Sequence, residues 1–228
     1  MTTQRAIRDT IVAAGRRLMA EGLLRGSSGN LSVRLIDGRV AITPAAVPYD
    51  DMEGDDIVVI GGAEFAARGD RRPSSEYRLH LAIYAARPDI GAIVHCHSPF
   101  ATVFAAAREP IPAVHYVIAP LLDARSDRIR VAPYATFGTA ELADACVATL
   151  GADNAVLLAS HGSVAVGSDL TVAMDRARTI EELAEIAWRA RALGGANVID
   201  RAELERVRDQ LRIRAGDEPI ASTSDRTG

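Results

Sequence analysis

The chain has 228 residues, of which 48% are hydrophobic and 25% are charged, so it is long enough for one domain with a substantial core. Its net charge is −4, and its basic residues, all arginine, are dispersed without the basic stripe that binds nucleic acid. Because no lysine occurs, covalent Schiff-base chemistry on a side-chain amine is excluded as well.

Composition along the chain predicts one domain and no membrane segment. No run approaches the ~20 uninterrupted apolar residues of a membrane span, and the first residues lack a signal-peptide core. We therefore expect a cytoplasmic protein without a membrane or nucleic-acid partner. The domain is predicted over residues 1–214, and the small and polar residues of 215–228 predict a flexible tail. Cys96 and Cys146 are expected to be reduced core residues rather than a disulfide.

Helical and strand-like periodicities alternate irregularly along the chain. In the first half of the chain, the predicted elements are a helix up to about Gly22, a small polar loop at 26–30, a hairpin of 31–35 and 40–43 around Asp37-Gly38, a strand at 57–60, and a helix from Ser74 or Ser75 to Ala86. They are followed by a strand at 91–97, a helix at 99–107, and extended segments at 114–118 and 129–132. The last predicted elements are a helix at 139–150, paired strands at 155–159 and 164–166, and helices at 170–193 and 201–213. This order predicts a single-domain α/β fold, with a mixed or antiparallel sheet covered by helices. No glycine-rich strand-to-helix fingerprint for dinucleotides is present.

Two histidines stand at the end of one predicted strand. Alternate side chains of an extended segment share a face, so His95 and His97 project together while Cys96 points the other way. A buried strand that ends in two imidazoles favours a metal site over two unrelated polar histidines, because imidazole is the commonest metal ligand.

A third imidazole and a carboxylate complete the candidate ligand set. His161 ends a second apolar strand, and Gly162 permits a close backbone approach beside it. Three protein ligands with an open position are the pattern of catalytic rather than structural zinc. Glu76 can join them, or it can merely stabilise the start of its helix through the helix dipole. His80 is expected to pack in the core or to hydrogen-bond Glu76, rather than to bind metal.

Several short segments occur in a characteristic order and spacing. They are residues 26–34, 42–44, 73–76, 94–97, 111–116, 133–139 and His161-Gly162. Together they resemble the class II aldolase/adducin family over roughly residues 5–214. The Ser-Ser-Glu, His-x-His and His-Gly elements are each weak alone but specific in combination.

The resemblance implies a largely antiparallel central sheet flanked by helices, and a homotetramer with active sites at subunit interfaces. It implies Zn2+, with Mn2+ or Co2+ as other possibilities, bound by His95, His97 and His161. Glu76 is implied to be the fourth ligand at rest and the acid/base in turnover.

The implied reaction is reversible retro-aldol cleavage of a ketose 1-phosphate into dihydroxyacetone phosphate and an aldehyde. Cleavage leaves negative charge on oxygen, which a Lewis-acidic metal stabilises while a carboxylate moves the proton. Tyr116 is implied to enter a neighbouring subunit's site and protonate the aldehyde oxygen; a buried aromatic with a satisfied hydroxyl is the alternative. The residues implied to bind the phosphate of the sugar phosphate, partly as donors beside a helix N-terminus, are Ser28, Asn30, Thr43, Ser74 and Ser75.

Two departures from the aldolases of the family leave the substrate open. Those enzymes carry Thr-Gly where this chain has Ala45-Ala46, so one hydroxyl donor to phosphate is missing. A C-terminal tyrosine used on the aldehyde side is replaced near Asp209. Decarboxylation of a 3-oxo acid phosphate, dehydration of a methylthio-pentulose phosphate and sugar-phosphate epimerisation are related reactions, although epimerases of the family carry aspartate at the position of Glu76. A non-catalytic adducin-like interaction module is the alternative of a different class.

Overall fold

A computed structural model describes residues 4–61, 64–66 and 71–216, so nearly all of the predicted tail at 215–228 lies outside the described residues. The helices are α1 (Gln4–Ala20), α2 (Tyr77–Ala86), α3 (Pro99–Ala107), α4 (Ala140–Leu150), α5 (Leu170–Ala190) and α6 (Arg201–Ala215). The strands are β1 (Asn30–Arg34), β2 (Val40–Ile42), β3 (Val58–Gly61), β4 (Glu64–Ala66), β5 (Ala92–Cys96), β6 (Ile111–Pro112), β7 (Arg128–Ile129), β8 (Val131–Ala132), β9 (Ala155–Leu158) and β10 (Gly162–Gly167). Among the described residues, none of the helices combines the length and the apolar character that crossing a membrane requires.

One eight-stranded sheet organises the molecule, in the order β4-β3-β2-β1-β5-β10-β9-β8. Every neighbouring pair in it is antiparallel except β8 and β9, which are parallel. The predicted α/β fold with a mostly antiparallel sheet is therefore confirmed. Both hairpin predictions hold too, since β1 pairs with β2 across a turn in which Gly38 has φ +84°, and β9 pairs with β10.

Helices cover both faces of this sheet. On one face, Val94 of β5 packs in a core with residues of α1, α3 and α5, whereas Ile93 of the same strand packs on the other face with residues of α2 and α4. This division follows from strand geometry, because successive side chains point to opposite faces. Fully burying side chains of this size contributes about 1.5–3 kcal/mol each. The central strands are therefore held firmly from both sides.

One predicted extended segment, at 114–118, is wrong. A 3-10 helix spans Tyr116–Leu121, and Nδ1 of His115 caps it by accepting a hydrogen bond from the Val117 amide at 3.3 Å. A mostly apolar segment of five residues does not distinguish a strand from a helical turn, so the cap decides the local structure. The helix predicted to Leu193 also ends earlier, at Ala190, and continues as a short 3-10 turn.

The helix that carries Glu76 begins one residue later than its serines predict. Glu76 is the N-cap residue of α2, and no side chain caps the helix. Ser74 Oγ instead accepts a hydrogen bond from the Glu76 amide at 3.3 Å, which orients the residue just before the helix. Glu76 thus stands at the helix start rather than in its first turn.

Candidate metal centre

The candidate site lies where three central strands meet the start of α2. Antiparallel pairing of β1 and β5 sets Asn30 directly opposite His95. His97 follows β5 by one residue, and His161 lies in the turn between β9 and β10. Glu76 at the N-cap of α2 reaches the same point, so neighbouring strands and one helix supply the whole cluster.

The four predicted metal ligands converge. Nε2 of His95 lies 2.9 Å from Nε2 of His97 and 3.1 Å from Oε2 of Glu76. Oε1 of Glu76 lies 3.3 Å from Nε2 of His161. One ligand atom from each residue can be chosen so that all lie within 4.8 Å of one another. A single ion of ordinary ligand distance, about 2.0–2.2 Å for nitrogen and oxygen, fits such a cluster.

The backbone selects the tautomer of His95. Its Nδ1 lies 2.9 Å from the Ser163 carbonyl oxygen, which can only accept, so Nδ1 carries the proton. When no proton is bound to Nε2, this nitrogen presents its lone pair to the cluster. An imidazole anchored to a carbonyl in this way is a typical metal ligand.

Small residues allow the strands to approach closely here, as predicted for Gly162. A Cβ on Gly162 would lie 2.3 Å from the Cys96 carbonyl oxygen and 2.9 Å from Cδ2 of His97. A Cβ on Gly29 would lie 2.6 Å from the His95 carbonyl oxygen. Any side chain at either position would push the histidine-bearing strand away. Cys96 itself packs in the core on the opposite face, as the strand alternation predicts.

Burial and mutual charge set the protonation of the cluster. Burial, together with the neighbouring His95, lowers the pKa values of His97 and His161 to about 4, so both rings are neutral at neutral pH. Burial alone would raise the pKa of Glu76, but His95, His161 and the Asn30 amide outweigh it and hold the pKa well below its usual range. Burial likewise opposes the effect of Glu76 on His95, yet the carboxylate raises the pKa of that ring.

The donor set fits a divalent metal ion. Oε1 of Glu76 is buried and accepts no hydrogen bond from the described residues, although an unpaired buried carboxylate oxygen is costly. Two neutral imidazole rings and the lone pair of a third point at the same space. Three nitrogen ligands and one oxygen ligand suit zinc and similar ions, and a carboxylate that can leave opens a position for substrate.

Asn30 and His80 lie directly behind the cluster. Nδ2 of Asn30 donates to Oε2 of Glu76 at 2.9 Å, and Oδ1 of Asn30 accepts from Nε2 of His80. Burial lowers the pKa of His80 to about 3, so the ring is neutral. His80 is fully buried and outside the cluster, as expected for a core residue.

A cavity of about 580 Å³ opens from the cluster, with Glu76, His97 and His161 on its wall. Its polar wall is rich in hydroxyl groups and is formed by Ser27, Ser28, Asn30, Ser74, Ser75 and Ser160. Of the described residues, no arginine lines it. An anion in the cavity would therefore be bound by neutral hydrogen-bond donors and by the N-terminus of α2.

The structure separates the five implied phosphate-binding residues into two groups. Four of them line the cavity: Ser28, Asn30, Ser74 and Ser75. Ser28 and Ser75 are exposed. Thr43 does not line it: its buried hydroxyl accepts a hydrogen bond from the Leu31 amide at 3.2 Å. Thr43 therefore supports the strand behind the cavity wall.

Further lining residues have features that the sequence analysis did not predict. Tyr134 and Phe137 are 60% and 64% exposed and give the cavity an aromatic wall. Ala46 and Ser160 have positive φ values, +57° and +55°, which is unusual for residues other than glycine. The 133–139 motif was the signal for the aromatic pair, and the glycine that related aldolases carry at position 46 was the signal for the positive φ of Ala46.

Two positions that the family resemblance relates to the aldehyde part of the substrate, Tyr116 and Asp209, lie outside this cavity. Tyr116 is 50% exposed and stacks on His115, with ring centroids 4.7 Å apart. The alternative that it is a buried aromatic is therefore wrong. Asp209 is exposed on α6 and pairs with Arg212 at 2.8 Å.

Comparison with known proteins identifies the family. A profile of the Class II Aldolase and Adducin N-terminal domain matches residues 9–188. The chain belongs to the class II aldolase/adducin family.

Individual relatives place it among the aldolases. The chain is 44% identical over 207 residues to the 5-methylthioribulose-1-phosphate/5-deoxyribulose-1-phosphate aldolase of Rhodospirillum rubrum, covering 91% of each chain. It is 37% identical to the 5-deoxy-D-ribulose 1-phosphate aldolase of Bacillus thuringiensis, covering 87% of this chain and 92% of that one. A solved L-fuculose 1-phosphate aldolase structure superimposes with a TM-score of 0.83 at 37% identity, covering 90% of this chain and 96% of the other. The protein is accordingly an enzyme of the metal-dependent aldolase class, a carbon–carbon lyase.

Proposed function

We propose that the protein reversibly cleaves a ketose 1-phosphate into dihydroxyacetone phosphate and an aldehyde. The observation that carries this proposal is the position of Glu76, which belongs to the metal-ligand cluster and also lines the cavity. A carboxylate so placed can move a proton at a carbon next to the reacting carbonyl.

The residues divide the chemistry between them. His95, His97 and His161, with Glu76 as a displaceable fourth ligand, would hold Zn2+ or a similar ion such as Mn2+ or Co2+. When bound, the ion supplies a Lewis acid for the negative oxygen that carbon–carbon cleavage leaves. Glu76 is ionised at neutral pH, so in the condensation direction it can accept the proton from carbon. In cleavage it takes up the proton that the substrate hydroxyl releases and passes it to carbon.

The phosphate is assigned to the polar end of the cavity. Ser28, Ser74 and Ser75 offer hydroxyl donors, and Asn30 offers an amide N–H beside the N-terminus of α2. Ala45 and Ala46 line the same cavity, so the hydroxyl and the glycine found in related aldolases are absent here. We expect phosphate to be bound, although less tightly than with a threonine at position 45.

The aldehyde portion of the substrate is proposed to be apolar. Tyr134, Ala135 and Phe137 form an apolar wall, which suits a methyl or methylthio group better than a row of hydroxyls. Two relatives bear the names of aldolases for 5-methylthioribulose 1-phosphate and 5-deoxyribulose 1-phosphate. We therefore propose these two sugar phosphates as substrates.

A complete active site is proposed to need a neighbouring subunit. Tyr116 lies away from the described cavity wall and is half exposed, so it is available to enter a second copy's site and protonate the aldehyde oxygen. We propose a homotetramer for this reason.

A complementation experiment tests the shared site. Inactive Glu76→Gln and Tyr116→Phe proteins that are mixed, unfolded and refolded together should recover activity, because some sites then combine the intact residue of each. Light scattering that finds a fully active monomer would rule out this arrangement.

A substrate panel tests the proposed reaction. Metal-loaded protein should release dihydroxyacetone phosphate from 5-methylthioribulose 1-phosphate and 5-deoxyribulose 1-phosphate, detected by coupled reduction. Fuculose 1-phosphate should give a lower kcat/KM, and unphosphorylated analogues a lower one still. Glu76→Gln is the matched blank. Carbon dioxide release, water loss or epimerisation without dihydroxyacetone phosphate would replace the aldolase assignment with the corresponding family reaction.

A further inference from the structure

Five buried side chains form a continuous hydrogen-bonded chain that ends on Glu76. Tyr84 Oη lies 2.9 Å from Ser32 Oγ, which lies 2.6 Å from Nδ1 of His80. Nε2 of His80 contacts Oδ1 of Asn30, whose Nδ2 donates to Glu76. All five residues are buried, and Ser32 and His80 are completely so.

Two regular spacings produce this chain. Asn30 and Ser32 are alternate residues of β1 and share one face of the strand. Glu76, His80 and Tyr84 are four residues apart and share one face of α2. The side chains from β1 alternate with those from α2 along the hydrogen-bonded chain. Its geometry is therefore set by the packing of two regular elements rather than by a loop.

The direction of every hydrogen bond in the chain follows from its acceptor end. The ionised carboxylate of Glu76 can only accept, so Asn30 must turn its NH2 group toward it and its Oδ1 toward His80. His80 must then carry its proton on Nε2 and accept on Nδ1. Ser32 must donate to that nitrogen, which leaves its oxygen to accept from Tyr84.

We infer that His80 is a positioning residue that locks the orientation of the Asn30 amide. In the locked orientation one N–H group of Asn30 donates to Glu76 and its oxygen is bound to His80, so the second N–H group is what the amide still has to donate in the cavity that Asn30 lines. The reversed amide would set an oxygen against the carboxylate and present an acceptor to an anion in the cavity. His80 thereby acts on proton transfer and on anion binding together; the second effect rests on the proposed function.

Substitutions of matched size separate the lock from simple packing. In His80→Gln the side-chain NH2 can donate to Asn30 and the oxygen can accept from Ser32, so the polarity is kept. In His80→Met the side chain has nearly the same shape as glutamine but carries no donor. His80 and Asn30 are both neutral, and losing a hydrogen bond between neutral groups costs about threefold to tenfold. We expect His80→Met to lower kcat by that factor and to raise KM for the phosphorylated ketose, while His80→Gln keeps the kinetics of wild type.

A structural role alone predicts a different outcome. Both variants would then lose stability, and the folded fraction of each would keep the kcat and KM of wild type. Thr102→Val is the control, because it removes a hydroxyl that makes no hydrogen bond within the described residues. Equal kinetics for the Gln and Met variants would overturn the lock.

A second measurement decides the proposal without catalysis. In the zinc-loaded wild-type protein labelled with 15N-histidine, the His80 ring should be neutral with its proton on Nε2, its signals being assigned by their absence in His80→Gln. Ser32→Ala should leave the proton on Nε2, because the Glu76–Asn30–His80 part of the chain, which sets the tautomer, is unchanged. A proton on Nδ1, or an imidazolium at neutral pH, overturns the lock. Absence of turnover on every ketose, with the tautomer as expected, would instead count against the proposed function.

Discussion

The two ends of the cavity are built from different kinds of structure. At the metal end, His95 is completely buried and belongs to a strand paired on both sides, with its ring anchored to the backbone of β10. At the other end, Ser28, Ser75 and Phe137 are exposed and belong to connecting segments. A position in a paired strand is set by many cooperative hydrogen bonds, whereas a connecting segment tolerates changes of residue and shape. The comparison indicates that the sheet determines the chemistry and that the connecting segments determine the substrate.

The largest expected effect is on the metal end. His95→Ala removes the central ligand, so metal content should fall from about one ion per chain to near zero, measured by elemental analysis. Loss of metal-assisted charge stabilisation, worth several kcal/mol, should lower kcat by about 10³-fold or more. The helices should persist in circular dichroism, because the sheet is held on both faces.

His115→Ala is the control for that experiment, since His115 lies outside the ligand cluster. It should retain the metal. Unchanged metal content in His95→Ala would refute the assignment of the cluster.

Proton transfer can be separated from metal binding at Glu76. Glu76→Gln keeps the size and one oxygen donor but is not a base, so it should hold the metal and lose about 10²–10⁴ in kcat. Metal analysis and steady-state rates on the same preparation measure both effects. Glu185→Gln, which removes an exposed carboxylate paired with Arg189, should change neither. Turnover near wild type in Glu76→Gln would assign the base to another residue.

Acid stability tests the buried hydrogen-bonded chain of Glu76, Asn30, His80, Ser32 and Tyr84 behind the metal end. Burial lowers the pKa of His80 from 6.5 to about 3, so the unfolded chain binds this proton before the folded protein does. The contribution of His80 to stability is therefore complete above about pH 6.5 and is lost as the pH falls toward 3. Relative to His80→Gln, which does not titrate, wild type should lose up to about 1.4 kcal/mol of unfolding free energy per pH unit.

Urea unfolding at pH 6.5, 5.5 and 4.5, at one protein concentration, measures this difference. The metal ligands titrate in both proteins, so their contribution cancels in the comparison. A difference that stays constant with pH would mean that the ring of His80 titrates normally.

The smallest expected effect is at the connecting segment that carries Ala45 and Ala46. Ala45→Thr with Ala46→Gly restores one neutral hydrogen bond to phosphate, worth about 0.5–1.5 kcal/mol. KM for the phosphorylated ketose should fall by about threefold to tenfold and should stay unchanged for unphosphorylated analogues. An equal fall in KM for phosphorylated and unphosphorylated substrates would show that the segment does not contact phosphate.

Relief of backbone strain accompanies this change and needs its own control. Ala46 has φ +57°, so glycine there should stabilise the protein by about 1 kcal/mol. Arg108 has φ +56° at the end of α3, outside the cavity wall. Arg108→Gly should give a similar gain in thermal unfolding without a change in KM. A change of KM in Arg108→Gly would show that stability alone alters binding.

Local patterns in the sequence were sufficient for most of the fold and for naming the four residues that form the candidate metal cluster. The strand that carries His95 and His97, the hairpin around Gly38 and the long helices depend on periodicities within a few residues, and the structure confirms them. The close approach at Gly162 was predicted for the same reason, because only a residue without a Cβ fits there. The turn at 116–121 was missed, since a short apolar run suits both a strand and a 3-10 helix.

Contacts between residues far apart in the chain were decided by the tertiary structure alone. Asn30 and Glu76 are 46 residues apart, and only the register of β1 on β5 and the packing of α2 bring the amide to the carboxylate. The same packing closes the chain through Ser32 and His80, whose donors and acceptors have no local signature. The sequence by itself determined which residues can bind a metal, because ligand type and strand alternation are local properties. Their orientation and the residues that hold them were decided by long-range pairing, because a hydrogen bond depends on where both partners lie in space.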